Sequence, residues 1–571
     1  MKAPVTFFLL CLFFGGLHSQ VTTYKYDNGK VKAEGNLAQG IEQGEWKYYD
    51  REGHLVQEVS YRDGEFNGPF RSYYKNEKIK EEGQFDFSHK HGSFQTFYEN
   101  GQKQTEGYYH FGFRDSLWTF FYDNGEKYES GYYRADIRDS IWKSWYHKGQ
   151  LKSLISYSSG KEPRILEFYD SSGKVMLKNG NGNFRDFYVD GKMKEEGAYL
   201  SGLKSGTWIL WNNEGYKISE GAYIDGQKEG LWVNYYPDGK ILSTGNFKND
   251  LREGPWMFYY NNGQTSKGVT FKNDKEEGPY KEWFRSGELS TTGQYSRGLK
   301  TGHWVWSLKS GLKDFEGDFE EDKRSGLWKF FFHDEDKVEF RGNFKDGEKD
   351  GKWTYLYKDG VTWKFGSYSA GKKSGKWTYY AENGVRIMEG NFEEGKEEGL
   401  WQEWYDDESR KSDGHFNKGK VDGDWIGWFE NGVVNFTGSY QEGKKNGRWE
   451  HFYPSAQQEL IEHYNMGVLE GMRTYWYDNG KLKESGNYKN GTKNGEWMFY
   501  YENGKLSAQG TFNKDRLEGK MTTYHEIGTV ESVRFYKEGR ADGTWEYYGK
   551  KEGDLLRKVK FKKGVVIEET E

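Results

Sequence analysis

The sequence predicts an all-β protein, built as a linear array of about 22 β-hairpin repeats of 24 residues each. Aromatic residues recur at this spacing along nearly the whole chain, and Asn-Gly or Asp-Gly steps recur with them between extended runs. The chain also has 76 glycines but only 7 prolines, which favours many tight turns between extended segments. Self-similarity at 20 to 50 residues is typical of arrays in which each unit contacts only its neighbours.

Trp46 begins a series of residues that recur every 24 positions, and we call its members anchor residues. The series has 22 members, ends at Trp545 and includes 15 tryptophans. Its spacing changes twice, with a step of 18 to Phe184 and a step of 25 to Trp353. We predict that the anchor tryptophans are structural, and six represent them: Trp46, Trp118, Trp208, Trp256, Trp401 and Trp497.

Each repeat is predicted to be one hairpin. Residues 495–519 read GEWMFYYENGKLSAQGTFNKDRLEG, in which Asn503-Gly504 separates two extended runs. Such a step predicts a type I′ turn, with positive φ at both residues. This register pairs each anchor residue with the residue 13 later, so we expect Trp401 to pack over Gly414. The glycine two residues before the anchor is present in 19 of 22 repeats and is expected to adopt a conformation closed to other residues.

A second aromatic stripe lies three residues after each anchor. This position is aromatic in 20 of the 22 repeats, and its odd spacing places it on the face opposite the anchors. Two interpretations are open: the rings of neighbouring hairpins stack on one another, or they form an exposed ladder that binds a ligand. The candidate binding stripe consists of Tyr49, Phe121, Trp145, Trp211, Trp283, Trp404, Trp428 and Trp476.

Composition and motifs exclude several classes of function. Lys and Glu are interleaved and the net charge is only −6, so no basic patch indicates nucleic-acid binding. The sequence contains no recognisable nucleotide-binding, zinc-hydrolase, calcium-loop or serine-hydrolase motif. We therefore predict a protein that is not an enzyme, with no catalytic residues, no metal and no cofactor.

The N-terminus is typical of a secretory signal peptide. Lys2 precedes an apolar run from Phe7 to Leu17, and Ser19 is a small residue at the expected cleavage site. We predict a signal peptide at 1–19 and a mature chain that begins at Gln20, exported to a periplasmic, outer-membrane-associated or extracellular location. The apolar run is too short to span a membrane, and no other segment is predicted to do so. The single cysteine, Cys11, lies inside the signal, so the mature chain would have no thiol chemistry.

The array is predicted to have one interruption. Regular repeats occupy 20–161 and 184–571, whereas 162–183 contains a repeat that is six residues short. Arg164 stands there at the usual glycine position, directly after Pro163, and we expect a bend or flexible joint. The charged C-terminal segment, Leu555 to Glu571, suits an exposed edge strand.

The repeat resembles the bacterial variant of the MORN repeat. The resemblance rests on the pattern G-x-W-x-x-Y-Y-x-x-N-G-K followed by G-x-Y-x-x-G-x-x-x-G, and it covers roughly residues 22–570. It implies a long, twisted, single-layer antiparallel sheet of successive hairpins. Bacterial proteins of this type are often labelled antitoxin components, and eukaryotic MORN proteins serve as scaffolds and were proposed to bind lipids. An export signal does not fit an antitoxin, which acts in the cytoplasm.

The sequence favours a non-enzymatic, exported and elongated scaffold that binds protein partners in the cell envelope. One alternative is a protein that binds glycan or cell wall through its aromatic ladders. Another is an antitoxin-like inhibitor of a partner protein. An enzyme that uses the array as an accessory is disfavoured, because no segment remains for a catalytic domain. Exposure of the candidate binding stripe would favour the glycan alternative.

Overall fold

The described residues of the computed structural model are 20–551 and 553–571, and they form 49 β-strands and no helix. The predicted signal peptide at 1–19 lies outside them. The prediction of an all-β array of hairpins is confirmed. Among these residues there is no helix long and apolar enough to cross a membrane.

The chain divides into two compact units, residues 1–275 and 276–571. The first unit begins with a 14-stranded sheet, in which the strands follow chain order. Its strands are β1 (Gln20–Lys25), β2 (Val31–Ala38), β3 (Ile41–Tyr49), β4 (Leu55–Arg62), β5 (Glu65–Tyr73), β6 (Ile79–Asp86), β7 (His89–Phe97), β8 (Lys103–His110), β9 (Phe113–Phe121), β10 (Lys127–Arg134), β11 (Ile137–Trp145), β12 (Leu151–Tyr157), β13 (Arg164–Tyr169) and β14 (Val175–Leu177). Eight further strands complete this unit: β15 (Gly182–Phe187), β16 (Met193–Leu200), β17 (Leu203–Trp211), β18 (Lys217–Ile224), β19 (Gln227–Tyr235), β20 (Ile241–Lys248), β21 (Leu251–Tyr259) and β22 (Thr265–Lys272).

The second unit contains the remaining strands, again in chain order. They are β23 (Lys275–Trp283), β24 (Leu289–Ser296), β25 (Leu299–Ser307), β26 (Lys313–Glu320), β27 (Lys323–Phe331), β28 (Val338–Lys345), β29 (Glu348–Leu356), β30 (Thr362–Ser369), β31 (Lys372–Tyr380), β32 (Arg386–Glu393), β33 (Lys396–Trp404), β34 (Arg410–Asn417), β35 (Lys420–Trp428), β36 (Val434–Gln441), β37 (Lys444–Phe452), β38 (Gln458–Asn465), β39 (Val468–Leu469), β40 (Gly471–Trp476), β41 (Leu482–Lys489), β42 (Thr492–Tyr500), β43 (Leu506–Asn513), β44 (Arg516–Tyr524), β45 (Val530–Lys537), β46 (Arg540–Ala541), β47 (Gly543–Tyr548), β48 (Leu555–Lys562) and β49 (Val565–Thr570).

The Asn-Gly turns are not of type I′, so that prediction is wrong. In the turn after β7, the Gly101 amide donates to the Tyr98 carbonyl and the Tyr98 amide donates to the Gln102 carbonyl, both at 2.8 Å. Only Gly101 has a positive φ, of 90°. This geometry is a type I turn followed by a glycine bulge. It prevails because the Asn100 side chain accepts a hydrogen bond from the Gln102 amide at 2.8 Å, which stabilises the turn without a second left-handed residue.

The predicted strand register is nevertheless confirmed. Trp208 pairs with Gly221 and Trp401 with Gly414, in each case the residue 13 later. Near the turn the register shifts by one residue, between Glu403 and Trp404 in the second example. This shift compensates for the extra residue in the turn, so the middle of the strand keeps the register of a two-residue turn.

The second connection of each repeat is also a tight turn rather than a loop. Between β32 and β33 only Glu394 and Gly395 are unpaired, and their φ values are 48° and 84°. Positive φ at both residues defines a two-residue type I′ turn. Each repeat therefore supplies two hairpins, and the predicted type I′ geometry occurs at this second turn.

A bulge lies in the strand that follows the second turn of a repeat. It explains why a glycine stands two residues before the anchor. Gly35 pairs with Trp46 and Asn36 pairs with Gln43, which leaves two residues of β3 without a partner in β2. One of them, Gly44, has a φ of 66°. The left-handed conformation was predicted, but it lies in a bulge inside the strand rather than at the end of a loop.

Each anchor ring leans towards the preceding strand, so the predicted packing of Trp401 over Gly414 is wrong. A Cβ atom added to Gly390 would lie 2.1 Å from Cδ2 of Trp401, which shows that the indole covers Gly390. The indole Nε1 donates to the Asn391 carbonyl at 3.2 Å. The bulge turns the anchor residue back towards this carbonyl, and Gly414 lies instead under Trp425.

The anchor face has a core although the sheet has no second layer. Phe392 meets Trp401 edge to face, with ring centroids 5.1 Å apart, and equivalent pairs recur along both units. A lysine or arginine four residues before the anchor lies over its ring at 3.9–4.8 Å in ten repeats, whose anchors are Phe94, Trp142, Trp208, Trp232, Trp304, Trp328, Trp353, Trp377, Trp449 and Trp497. These cationic side chains cover the rings from solvent while their charged groups stay hydrated.

The interruption predicted at 162–183 is a break in the hydrogen-bonded ladder. The first sheet ends at β14, and β15 belongs to the next one. Packing continues across the break, because Phe168, Leu177 and Phe184 are buried in one cluster. The Gly202 amide also donates to the Gly180 carbonyl at 2.8 Å. The ladder is therefore interrupted here, whereas the apolar core is not.

The Gly366→Ala substitution tests the contact between an anchor ring and the glycine beneath it. The new methyl group would lie 2.2 Å from Cδ2 of the fully buried Trp377, so ring or strand must move. We expect local destabilisation of at least ~2 kcal/mol, measured by hydrogen exchange of amides between residues 353 and 392. Ser369→Ala, on the exposed end of the same strand, is the control. Equal protection in both variants would contradict the packing.

Candidate functional site

The candidate binding stripe does not form an exposed ladder. Seven of its eight side chains are half-buried. The eighth, Trp404, is buried, with 8% of its surface exposed. The Arg386 and Arg410 guanidinium groups lie 3.8 and 5.0 Å from the Trp404 ring. Charged side chains therefore flank this ring on both sides and restrict access to it.

Other members of the stripe have similar surroundings. The Tyr49 hydroxyl donates to the Glu34 carboxylate at 2.7 Å, and the Lys127 ammonium lies 5.7 Å from the Trp145 ring. Burial and the hydrogen bond to Glu34 raise the pKa of Tyr49 to about 12. At Tyr49, Trp145 and Trp404, charged side chains therefore lie against the ring, which neither sequence-based interpretation predicted.

Tyrosine hydroxyls connect successive repeats along the edge formed by the first turns. Tyr98 donates to the Phe121 carbonyl at 2.8 Å, and Tyr405 donates to the Trp428 carbonyl at 2.8 Å. The same bond from a residue to the carbonyl 23 positions later is made by Tyr26, Tyr74, Tyr122, Tyr146, Tyr188, Tyr236, Tyr357, Tyr453, Tyr477 and Tyr501. This link between repeats was not predicted from the sequence, although a tyrosine recurs four residues after the anchor.

The face opposite the anchors carries three shallow grooves, one near residues 45–95, one near 176–209 and one near 400–450. Their volumes are about 590, 480 and 570 Å³. In the first groove, Lys47 pairs with Glu58 and Arg71 pairs with Glu82, both at 3.2 Å. A hydrogen bond from Tyr73 is the main cause of the lowered pKa of Glu58. The groove is therefore lined by charged side chains that form ion pairs with one another.

An exposed group of apolar side chains interrupts the polar character of this face. We call Tyr108, Leu117, Tyr132 and Ile141 the apolar patch; they are 40, 49, 50 and 47% exposed. Leu117 and Tyr132 are directly opposed across β9 and β10, so their side chains are neighbours. The patch was not predicted from the sequence, because it does not recur with the repeat. Its signal is the apolar residue directly before the anchors Trp118 and Trp142.

One turn of the described chain brings together three side chains of metal-ligating type, Asp50, Glu52 and His54. The His54 amide donates to Asp50 Oδ1 at 2.9 Å, and the His54 ring lies 3.1 Å from Asp50 Oδ2. Desolvation raises the pKa of Asp50, but hydrogen bonds from His54 outweigh it and hold that pKa at about 2. Closure of the turn by His54 accounts for this arrangement.

Comparison with known proteins identifies the repeat. The model of the MORN repeat variant family matches seven segments: residues 42–63, 66–86, 90–110, 138–159, 228–249, 469–490 and 493–514. Each segment begins just after a type I′ turn. No curated protein matches the chain.

Two solved structures are similar to this chain. The Tc holotoxin pore of Photorhabdus luminescens is 10% identical with a TM-score of 0.13, over 94% of this chain and 31% of that chain. The TcdB2-TccC3-Cdc42 complex is 10% identical with a TM-score of 0.12, over 94% and 30%. This chain thus spans about a third of the length of those chains, and such TM-scores do not establish a common fold.

The family match and the hairpin architecture agree. The matched segments lie in both compact units, and most hairpins between them keep the same anchor spacing and turns. The exceptions are the short repeat at 162–183 and the repeat of 25 residues that ends before Trp353. The chain is a repeat protein in which seven hairpin segments match the model of the MORN repeat variant family.

Proposed function

We propose that this chain is a non-enzymatic scaffold of the cell envelope that binds a protein partner through its apolar patch. The observation that carries the proposal is the exposure of Tyr108, Leu117, Tyr132 and Ile141 on one face. Tyrosine and large aliphatic side chains at adjacent exposed positions are typical of protein interfaces, whereas isolated ones are ordinary. Phe111, Phe113 and Ile137, at or beside the neighbouring second turns, are also exposed.

The rest of the face supports a binding role rather than catalysis. In the first groove the charged side chains pair with one another, so they offer specificity at a rim more than a reactive group. The anchor face, in contrast, is occupied by the core of the sheet. The face opposite the anchors therefore offers a partner apolar contacts and polar rim contacts side by side.

The glycan alternative requires an exposed ladder of rings on which sugars could stack. The half-buried stripe and the two arginines that flank Trp404 do not favour it. The protein-binding proposal needs only the apolar patch, so it does not depend on the stripe.

Site-specific photo-crosslinking tests the patch. A benzoylphenylalanine residue at position Tyr132 or Ile141 is expected to crosslink one and the same protein in native cells. The matched control is Thr207, which is exposed and also directly precedes an anchor, but in a repeat without the patch. Leu117→Asp should abolish the crosslink with unchanged circular dichroism. Identical products from Thr207, or no discrete product from the patch, would contradict the proposal.

Export is part of the proposal, and it is supported by the order of charged, apolar and small residues before Gln20. We expect mass spectrometry of the protein from its native host to find a mature N-terminus near Gln20. Recovery of intact residues 1–19 would refute export and favour an antitoxin-like inhibitor instead.

Paired alanine substitutions test whether the stripe is structural. Trp401→Ala removes a buried anchor ring and should cost about 3–5 kcal/mol locally. Trp404→Ala should cost a similar amount, because Trp404 is buried to nearly the same extent. Limited proteolysis between residues 380 and 430 measures both. A Trp404→Ala variant that is fully resistant but loses affinity for cell-wall glycan would restore the ladder hypothesis.

A further inference from the structure

Two adjacent repeats, with the anchors Trp401 and Trp425, lack the cation that covers the anchor ring in ten other repeats of the described chain. Four residues before Trp401 and Trp425, the sequence has Glu397 and Val421 instead of lysine or arginine. Two residues after these anchors it has Glu403 and Gly427. The four preceding repeats have aromatic residues at that second position: Trp306, Phe330, Tyr355 and Tyr379. The covering cation before the anchor and the aromatic side chain after it are therefore both absent from these two repeats.

A cavity of about 230 Å³ occupies this place, within the second unit. Rings of Tyr379, Phe392, Trp401, Phe416 and Trp425 form its aromatic wall. The Trp401 centroid lies 5.8 Å from that of Phe416, which lies 5.6 Å from that of Trp425. Pockets for drug-sized molecules begin at ~300 Å³. This cavity is thus suited to a small group rather than to a large ligand.

Trp425 differs from the other anchor tryptophans in hydrogen bonding. In thirteen of them the indole N–H donates to the carbonyl ten residues earlier. Trp304 donates to the Thr301 carbonyl instead. Within the described chain, Trp425 makes no such bond, and its ring is more exposed than that of Trp401. Trp425, which lines the cavity, is therefore held to the sheet less firmly than the other anchor tryptophans of the described chain.

Two carboxylates face the same cavity. Glu403 accepts a hydrogen bond from Ser412 Oγ at 3.1 Å, and neither Glu397 nor Glu403 has an ion-pair partner among the residues described. Lys373 is the one cation in the wall; its ammonium lies 4.4 Å from the Phe392 ring and 3.4 Å from the Tyr379 hydroxyl. The wall therefore carries more negative than positive charge.

We infer that this cavity binds an alkylammonium group, either of a small amine or of a lysine side chain. Aromatic faces attract cations, and the two carboxylates select positive over neutral groups. In ten other repeats the same attraction is satisfied by a lysine or arginine of the chain itself. The bound cation would place over the anchor ring the positive charge that Glu397 cannot provide. The inference is independent of the apolar patch, which lies in the other unit.

Calorimetric titration of the mature full-length chain with n-butylammonium chloride tests the inference. We expect millimolar binding of n-butylammonium and at least ~10-fold weaker binding of the neutral n-butanol. Lysine blocked at both its α-amino and carboxyl groups forms a second arm. Tighter binding of blocked lysine identifies a polypeptide side chain as the source, and equal or weaker binding identifies a small amine. A folded wild-type chain that binds neither cation overturns the inference.

Glu397→Lys is the decisive variant, because it restores the residue type found in the repeats with a covered anchor. We expect it to weaken n-butylammonium binding at least ~10-fold while the melting temperature stays equal or rises. The matched control is Glu393→Lys, which makes the same charge change at an exposed position of the same repeat and should retain binding. Glu403→Gln, a nearly isosteric change, provides a second loss-of-charge variant if Glu397→Lys does not fold. Undiminished binding in a folded charge variant would overturn the inference.

Discussion

The contact between an anchor indole and the glycine of the preceding strand, made by fourteen of the fifteen anchor tryptophans, is the interaction on which the rest of the fold depends. A single sheet has no second layer to exclude water, so the core must be built on one face from side chains of the sheet itself. The indole covers the glycine, and its N–H bonds the carbonyl beside the bulge, as in Trp401 with Gly390 and Asn391. The anchor ring, the glycine that it covers and the bulge are needed together. This requirement explains why the repeat length varies so little along the chain.

The anchor position requires a filled space and satisfied polar groups more than it requires tryptophan. Met521 covers Gly510 in the same manner, since a Cβ atom at that glycine would lie 2.4 Å from the methionine sulfur. Arg473 takes another anchor position, where it pairs with Glu462 at 3.0 Å and also with Glu484. Burial opposes its charge, but these carboxylates outweigh burial and raise the pKa of Arg473. Removal of one carboxylate would therefore cost more than an exposed ion pair, because the guanidinium is largely buried.

The sequence predicted the strands, the repeat length and the register, because period and turn position alone determine them. It did not predict the turn type, since Asn-Gly suits two geometries and the hydrogen bond that the Gln102 amide donates to the Asn100 side chain selects one. It placed Trp401 on the correct face but over the wrong glycine, because alternation along a strand specifies a face and not a neighbour. The cavity at 373–425 was visible in principle. Glu397 and Glu403 depart from the consensus at two positions whose partners only the structure reveals.

In a repeat array, the residues that every unit shares serve the contacts that every unit makes. Specific binding is therefore expected at the residues in which one repeat differs from the others. The apolar patch occurs where Leu117 and Ile141 replace the small or polar residues that precede most anchors. The cavity occurs where Glu397 replaces a covering cation, and there Trp425 loses both its cover and its hydrogen bond. Such a loss of local stability is tolerated because neighbouring repeats retain their own contacts. An array can thus carry several binding sites on one scaffold, each at the expense of a single repeat.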